Sequence, residues 1–348
     1  MRAPYTKQQV TEAVERRAKD GRIPTFMCLW WGNGLVEKYG EDALKRLELE
    51  YPDDIIDAFY NAPEETVSNT SNPEYRWGFK DYTGKETHSI GKACVLLEDW
   101  AELDEFEKHM PDPMEPGTFD NVSRAVENAG GRYVLGCFWR VFHERFWSIR
   151  GMENLMYDYY DAMDELKRLG QILLAYYKRI IDRFAACGVD GIFTSDDLGH
   201  QKGPMMSPAV FHELYFPLYK EIIAYTHAKG MHFFLHSCGD NTLLMEDLIQ
   251  AGLDVFHPVQ AGCMDYVRTA EQFGSRLTFL FGIDVQHLLP EGSLKEVHDG
   301  IVTVAKTMYK PHGGLLFAAG NGIMPDSPIE NIETMLKTVH EMNSLISG

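Results

Sequence analysis

A histidine and a cysteine two residues apart, His236 and Cys238, end an apolar run that stops at once at Gly239. Residues two apart in a strand point to the same face, so the imidazole and the thiol can reach one ion. Zinc accepts nitrogen and sulfur ligands, and a catalytic zinc needs three protein ligands and one open position. The pair therefore predicts a metal site at a strand end. The alternative is a packed histidine beside a buried thiol.

A third metal ligand has candidates at the two neighbouring strand ends. Cys263 follows the next apolar run, and Asp196 and Asp197 end the preceding one. We take Cys263 as the third ligand, with a loop thiol as the alternative. The two aspartates are predicted to be catalytic, because neighbouring carboxylates shift one another's pKa and suit acid–base work. Metal binding, a bond to a substrate hydroxyl and helix capping are the other interpretations of this pair.

Aromatic and amide side chains are also concentrated at these strand ends. The residues predicted to bind the substrate are Trp30, Trp31, Trp139, Gln260 and Asn321. A flat and largely apolar ligand suits such a lining, and the alternative is that the aromatic rings belong to the core. Asp284 is expected to support the geometry of the site, whereas His143 and Glu144 are interpreted as polar residues of a surface loop.

The elements that must bring these residues together are strands that alternate with helices. Short apolar runs, each ending in polar residues or glycine, lie at 23–34, 132–139, 190–197, 231–239, 254–262, 277–284 and 314–322. Seven such units and a weaker eighth predict an α/β protein with a TIM-like (β/α)8 barrel, in which the carboxyl ends of the strands meet at one mouth. Residues 35–130 break the period and predict a helical and hairpin elaboration within one domain, 1–348.

The composition excludes several classes of partner. With 33 basic and 52 acidic residues among 348, the net charge of -19 repels nucleic acid and anionic lipid. The polar N-terminus and the lack of a long apolar segment predict a cytoplasmic protein without a membrane partner. The six cysteines are spread too widely for a disulfide framework. A homodimer is expected only from the base rate of symmetric assemblies.

Three stretches together resemble the uroporphyrinogen decarboxylase superfamily. They are "GIFTSDDLGHQKG" from residue 191, "HSCGDNTLLMEDLIQAGLDVFHPVQ" from residue 236 and "GGLLFAAGNGIMPDSPIENI" from residue 313. The likeness covers residues 130–345 well and the first third loosely. The decarboxylases carry an arginine-rich stretch near the N-terminus that holds propionates, and this chain reads "MCLWWGNG" there. It is therefore more similar to the corrinoid-dependent methyltransferases of the superfamily.

The resemblance implies a zinc site and a methyl transfer. Those methyltransferases bind Zn²⁺ through a His-x-Cys pair, here His236 and Cys238, and through a later cysteine, at whose position this chain has Asn321. This departure points to a third ligand from elsewhere, or to loss of the metal, and to the branch that demethylates aryl methyl ethers. The methyl group would pass to the cobalt of a corrinoid carried by a partner protein, with Asp196 or Asp197 orienting the ring or protonating the leaving phenolate.

Two other functions stay open from the sequence. One is a metal-free decarboxylase of an acidic aromatic or tetrapyrrole substrate, which would need basic residues in the mouth; Arg140 and Lys202 are the candidates. The other is a non-catalytic binding barrel that has kept the fold and lost the metal ligands, and Asn321 in place of a cysteine favours this interpretation. The retained pair of His236 and Cys238 speaks against it.

Overall fold

The computed structural model describes residues 2–82 and 94–347, and its centre is a sheet of eight parallel strands. The strands are β1 Thr25–Phe26, β2 Ile55–Phe59, β3 Tyr133–Phe138, β4 Gly191–Ser195, β5 His232–His236, β6 Val255–His257, β7 Thr278–Ile283 and β8 Leu315–Ala319. Their order is β1, β8, β7, β6, β5, β4, β3, β2. The amide of Asp54 donates to the carbonyl of Thr25 over 3.1 Å and joins the two ends. The predicted (β/α)8 barrel is confirmed.

Helices fill the connections between the strands. They are α1 Lys7–Val14, α2 Leu35–Tyr39, α3 Glu41–Glu50, α4 Leu103–Lys108, α5 Asp120–Glu127, α6 His143–Arg150, α7 Met152–Asp161, α8 Met163–Cys187, α9 Pro208–Val210, α10 Phe216–Ala228, α11 Met245–Ala251, α12 Tyr266–Phe273, α13 Leu288–Glu291, α14 Leu294–Met308 and α15 Ile329–Ser347. None of the helices in the described part of the chain is both long and apolar enough to cross a bilayer.

Local sequence signals set where several helices begin and end. The Ser293 hydroxyl accepts from the amide of Glu296, whose side chain bonds back to Ser293, so a capping box starts α14. Gly188 and Gly252 end α8 and α11 with φ of 86° and 100°, a conformation that costs glycine little. Each glycine lies three residues before a strand. The turns after α8 and α11 therefore fix the positions at which β4 and β6 join the sheet.

The barrel interior is packed with aromatic rings up to the level of the site. Phe193 of β4 meets Phe26 and Phe234 with ring centroids 6.0 and 6.4 Å apart. On its other side Phe193 contacts Trp30 at 6.1 Å and His257 at 5.9 Å. The hydrophobic core is therefore continuous with the floor of the strand-end cavity, and holds the rings there in place.

Strand β2 is the barrel strand that the sequence pattern did not reveal. It lies inside the segment interpreted as an elaboration, follows the charged pair Asp53 and Asp54, and is interrupted by Asp57. Asp54 is nevertheless wholly buried. The amides of Tyr5 and Thr25 donate to its carboxylate at 2.7 and 2.8 Å and compensate for the lost hydration. Acidic residues that resemble a surface turn in sequence thus anchor the closure of the barrel.

The rest of the irregular segment consists of short helices joined by long loops where it is described. Besides β2 it contains α2 to α5, and residues Glu64 and Arg76 form an isolated parallel bridge. Part of the predicted hairpin, residues 83–93, lies outside the described residues. A short antiparallel hairpin occurs instead after β4, between Gly199–His200 and Gly203–Pro204.

Candidate active site and metal centre

A cavity of about 490 Å³ opens at the carboxyl ends of the strands. Its lining residues are Leu29, Trp30, Trp31, Gly32, Asn33, Trp139, Glu144, Ser195, Asp197, His236, Asn321, Gly322 and Met324. The register of the sheet pairs Ser195 with His236 and His236 with His257, so three strand ends reach the same level. The predicted mouth of the barrel is thus a real cavity with polar groups on its floor.

Three side chains in this mouth could hold a metal ion. The Nε2 atom of His236 lies 3.3 Å from Sγ of Cys238 and 3.6 Å from Oδ1 of Asp197, and the three ligand atoms lie within 4.8 Å of one another. Zinc binds nitrogen at about 2.0–2.1 Å and sulfur at about 2.3 Å, so tetrahedral ligand atoms lie roughly 3.3–3.8 Å apart. The donor types therefore fit Zn²⁺, and the two distances from His236 fall within this range.

The backbone fixes the Asp197 carboxylate beside the Cys238 thiol, and burial keeps this thiol protonated in the absence of a metal. The amide of Cys238 donates to Oδ1 of Asp197 over 2.8 Å and fixes the carboxylate beside the thiol. Burial, with the nearby charge of Asp197, raises the pKa of Cys238 to about 12. Without a metal the thiol keeps its proton at neutral pH, and metal binding would displace that proton.

A second imidazole lies behind that of His236. Nδ1 of His236 is 2.7 Å from Nδ1 of His257, whose Nε2 is 2.9 Å from the carbonyl oxygen of Ala319. The ring of His257 is stacked on Trp30 with centroids 4.7 Å apart. Burial lowers the pKa of His236 and holds that of His257 well below its usual range, so both rings are neutral at physiological pH. Sequence reasoning missed His257, although it ends an apolar run as His236 does.

The two adjacent aspartates have different surroundings. Asp197 lines the cavity, whereas Asp196 is wholly buried and does not line it. Oδ2 of Asp196 accepts from the hydroxyl of Tyr219 at 2.6 Å and from the amide of His143 at 2.9 Å, and Oδ1 accepts from the amide of Glu144 at 2.6 Å. Burial raises the pKa of Asp196 to about 6, although these bonds favour the ionised form. Asp196 thus caps the start of α6, away from the cavity.

Glu144, interpreted from sequence as a surface residue, lines the cavity instead. The hydroxyl of Ser195 donates to its carboxylate, and Asp197 is a fellow lining residue. Burial, together with the charges of Asp197 and Asp196, raises the pKa of Glu144 to about 8. A carboxyl group that holds its proton at neutral pH beside an open cavity can donate it to a leaving group. No local motif marks Glu144, because hydrogen bonds to the distant residues Ser195 and Asp196 bring it to the cavity.

The tryptophans predicted to bind substrate all line the cavity. Trp30 and Trp139 lie with centroids 6.4 Å apart, and Trp139 packs on Phe59 at 5.3 Å. The indole N–H of Trp31 donates to Glu48 over 2.6 Å, which fixes the ring. These rings are held in place by their neighbours and offer flat apolar surface to a ligand.

The predicted amides take different places. Asn321 lines the cavity, and its amide nitrogen lies 3.5 Å from Sγ of Cys238. Gln260 is not among the lining residues of this cavity but of a smaller neighbouring cleft, where its Oε1 accepts from the amide of Gly239 at 2.6 Å. Gln260 therefore supports the turn that carries the cysteine.

The predicted third ligand, Cys263, is not part of the metal-ligating group. Its amide donates to the carbonyl of Gln260 over 3.1 Å in the turn after β6, and Asp197 occupies the third position instead. Asp284 accepts from the amides of Gln286 and His287 at 2.8 and 3.1 Å, so it stabilises the turn before α13.

The carboxyl groups that line the cavity have no cationic side chains beside them in its described lining. Glu144 and Asp197 line it, and no lysine or arginine does among the residues that the structure describes. Arg140 lies next to Trp139 in the chain, but its guanidinium pairs with Glu65 and lies 5.5 Å from the Trp147 ring. A carboxylate on a bound ligand would therefore find no cationic partner.

Comparison with known proteins agrees with this architecture. Residues 97–342 match the family model described as Uroporphyrinogen decarboxylase (URO-D), and the chain belongs to this family. Its fold is shared by a methyltransferase from Methanosarcina mazei, at 14% identity and a TM-score of 0.66 over 97% of this chain and 99% of that one. A sugar phosphate isomerase/epimerase from Parabacteroides distasonis is more distant, at 12% identity and a TM-score of 0.43 over 93% and 94%. No curated protein sequence matches the chain.

Proposed function

We propose that this protein is a zinc-dependent methyltransferase that moves a methyl group from an aryl methyl ether to the cobalt of a corrinoid protein. The observation that carries the proposal is the group formed by Asp197, His236 and Cys238, whose ligand atoms lie within 4.8 Å of one another at the cavity. The Methanosarcina mazei methyltransferase of the same fold supports the class of reaction. Bound zinc would act as a Lewis acid on the ether oxygen.

The cavity suits an uncharged aromatic donor. Its volume of about 490 Å³ exceeds that of a substituted benzene ring, and Trp30, Trp31 and Trp139 supply flat walls. With zinc, ionised Asp197, Cys238 thiolate and neutral His236 the metal centre would carry no net charge. Neither the walls nor the centre therefore offers a counter-ion to a carboxylated ring.

Glu144 would supply the proton that the leaving group needs. Transfer would break the methyl–oxygen bond, and the ether oxygen would leave with that electron pair as a phenolate. The Co(I) of the corrinoid protein would supply the electron pair of the new methyl–cobalt bond and become Co(III). Glu144 lines the same cavity as the metal-ligating group and holds its proton up to a pH of about 8. Proton donation would release the product as a neutral phenol. The sequence predicted Asp196 or Asp197 for this role. We assign it to Glu144, because Asp196 is buried away from the cavity and Asp197 would bind the metal.

The same features argue against the two alternatives. A decarboxylase of a carboxylated substrate would need cationic groups in the mouth, and the described lining residues include no lysine or arginine. A barrel that binds a ligand and catalyses no reaction would need neither a cluster of potential metal ligands nor a protonated carboxyl group beside it.

The proposal is tested first by metal content and then by methyl transfer. The protein, purified without chelators, is expected to contain one zinc per chain by mass spectrometry, and a variant with His236→Ala and Cys238→Ser is expected to contain none. The holoenzyme is then mixed with cob(I)alamin or a reduced corrinoid protein and a panel of methoxybenzenes. Formation of methyl-cobalt, followed by its absorbance, is the expected result.

Two outcomes would refute the proposal. One is the absence of bound zinc in wild-type protein that is folded and has been supplied with zinc. The other is zinc-loaded protein that forms no methyl-cobalt with any uncharged methoxyarene. His340→Leu is the matched control, because His340 is a buried histidine that contacts Tyr51 at the opposite end of the barrel.

A further inference from the structure

We propose that His257 is a positioning residue that fixes the tautomer of His236, so that Nε2 of His236 presents its lone pair to the metal. The inference rests on the proposed metal site and deepens it. Its basis is a chain of two hydrogen bonds, 2.7 Å between the two Nδ1 atoms and 2.9 Å from Nε2 of His257 to the carbonyl oxygen of Ala319.

The positions of the protons follow from counting donors and acceptors along this chain. A carbonyl oxygen only accepts, so Nε2 of His257 carries a proton. The bond between the two Nδ1 atoms needs one proton. If that proton is on His257, the His257 ring is an imidazolium; if it is on His236, His257 is neutral and Nε2 is the nitrogen of His236 that is left to bind a metal.

Burial decides between the two arrangements. His257 is 0% exposed, and among the described residues it forms no ion pair with a carboxylate. An unpaired imidazolium there would lose its hydration without compensation. The proton therefore lies on Nδ1 of His236, and the lone pair of His236 is on Nε2, which faces Cys238 and Asp197 at 3.3 and 3.6 Å.

The surrounding structure holds His257 in the required orientation. It is the last residue of β6 and lies directly opposite His236 in the register of β5 and β6. Trp30 covers one face of the ring with an interplanar angle of 18°, and Phe193 meets it edge to face at 88°. The ring thus has little freedom to rotate away from Ala319 or from His236. A fixed acceptor of this kind raises the affinity of a histidine for metal, typically by 10–100-fold.

The test compares His257→Leu, which removes the acceptor, with His257→Gln, whose carbonyl oxygen can replace it. Zinc affinity is measured by competition with a chromophoric chelator. We expect a dissociation constant about 10–100-fold higher for His257→Leu and near the wild-type value for His257→Gln. Thermal unfolding of the metal-free proteins shows whether each variant is folded. His340→Leu, the loss of another buried histidine, is expected to leave zinc affinity unchanged.

A second measurement reads the tautomer without metal. Long-range proton–nitrogen spectra of histidine-labelled, metal-free protein are expected to show His236 protonated on Nδ1 in the wild type and in His257→Gln. Protonation on Nε2 in the wild type would overturn the inference, as would unchanged zinc affinity in folded His257→Leu or equal losses in both variants. Absence of zinc binding by the wild type would refute the proposed function instead, and the spectra would still decide the tautomer.

Discussion

The amide nitrogen of Asn321 lies 3.5 Å from the thiol sulfur of Cys238. Asn321, two residues after the end of β8, thus faces Cys238, two residues after the end of β5. An amide is a weak zinc ligand and a thiolate is a strong one. In the proposed zinc site Asp197, His236 and Cys238 would be the three strong ligands, and the side toward Asn321 would stay open.

Replacing Asn321 by cysteine should close this open side. We expect the dissociation constant for zinc to fall by more than tenfold in Asn321→Cys, because a second thiolate would join the metal. Methyl transfer should slow, because a four-ligand centre leaves no place for the ether oxygen. Chelator competition and methyl-cobalt absorbance measure the two effects. Asn321→Ser is the control, and zinc affinity that does not distinguish the two variants would contradict the assignment.

The adjacent aspartates should respond in opposite ways to the same substitution. Asp196→Asn replaces an oxygen that accepts hydrogen bonds by an N–H group, and we expect a loss of about 1–3 kcal/mol in urea unfolding with little change in zinc affinity. Asp197→Asn removes a charged metal ligand, so zinc affinity should fall by more than tenfold while stability changes by less than about 0.5 kcal/mol. The reverse pattern would contradict the roles assigned to the pair.

The methyl transfer rate should depend on pH through Glu144. Its pKa is raised to about 8, so the proton-donating form predominates below this pH and is lost above it. In the zinc-loaded enzyme the metal would offset the charge of Asp197, and burial would still keep the pKa of Glu144 above its ordinary value. We expect the wild-type rate to fall as pH rises through this raised pKa, and Glu144→Gln to be roughly 10²–10⁴-fold slower with an unactivated methoxybenzene. A nitro-substituted donor, which leaves without a proton, should show a much smaller loss. Glu153→Gln, an exposed glutamate at the start of α7, is the control.

The free energy of unfolding should also depend on pH through Glu144. Between the ordinary glutamate pKa of 4.5 and about 8, the folded protein keeps a proton on Glu144 that the unfolded chain releases. The free energy of unfolding therefore falls as pH rises through this window. The difference between the wild type and Glu144→Gln, measured by urea unfolding at several pH values, should grow in favour of the variant from pH 4.5 to 8. A constant difference would show that Glu144 ionises normally.

Charge in the cavity should set the choice of donor. The wild type should prefer methoxybenzene to 4-methoxybenzoate by more than tenfold in kcat/KM, since no lysine or arginine of the described residues lines the cavity. Met324→Arg places a cation at the cavity wall and should improve the KM for the carboxylated donor alone. Met114→Arg is the matched control, because Met114 is similarly exposed, 48% against 46%, and does not line the cavity. A preference unchanged by Met324→Arg would contradict this account of specificity.

Part of the site could be predicted because neighbouring residues in the chain decide it. The placement of His236 follows from its position at the end of an apolar run, and that of Cys238 from the glycine that ends the run, although β5 itself stops at His236. The placement of the tryptophans follows from their positions near strand ends. The difference between Asp196 and Asp197 could not be predicted in this way. Both follow Ser195, where β4 ends, so the alternation that would assign their faces has stopped. Contacts from α6 and from Tyr219 assign them instead.

The sequence by itself determined the alternation of strands and helices, hence the barrel, because apolar periodicity and helix-terminating glycines act over a few residues. It also placed one imidazole and one thiol at the mouth. Only the tertiary structure decided that Asp197 joins them in place of Cys263, that Glu144 enters the cavity and that His257 lies behind His236. The residues in these contacts lie at least 21 positions apart in the sequence. Burial and closure of the sheet bring them together, and no local sequence pattern indicates it.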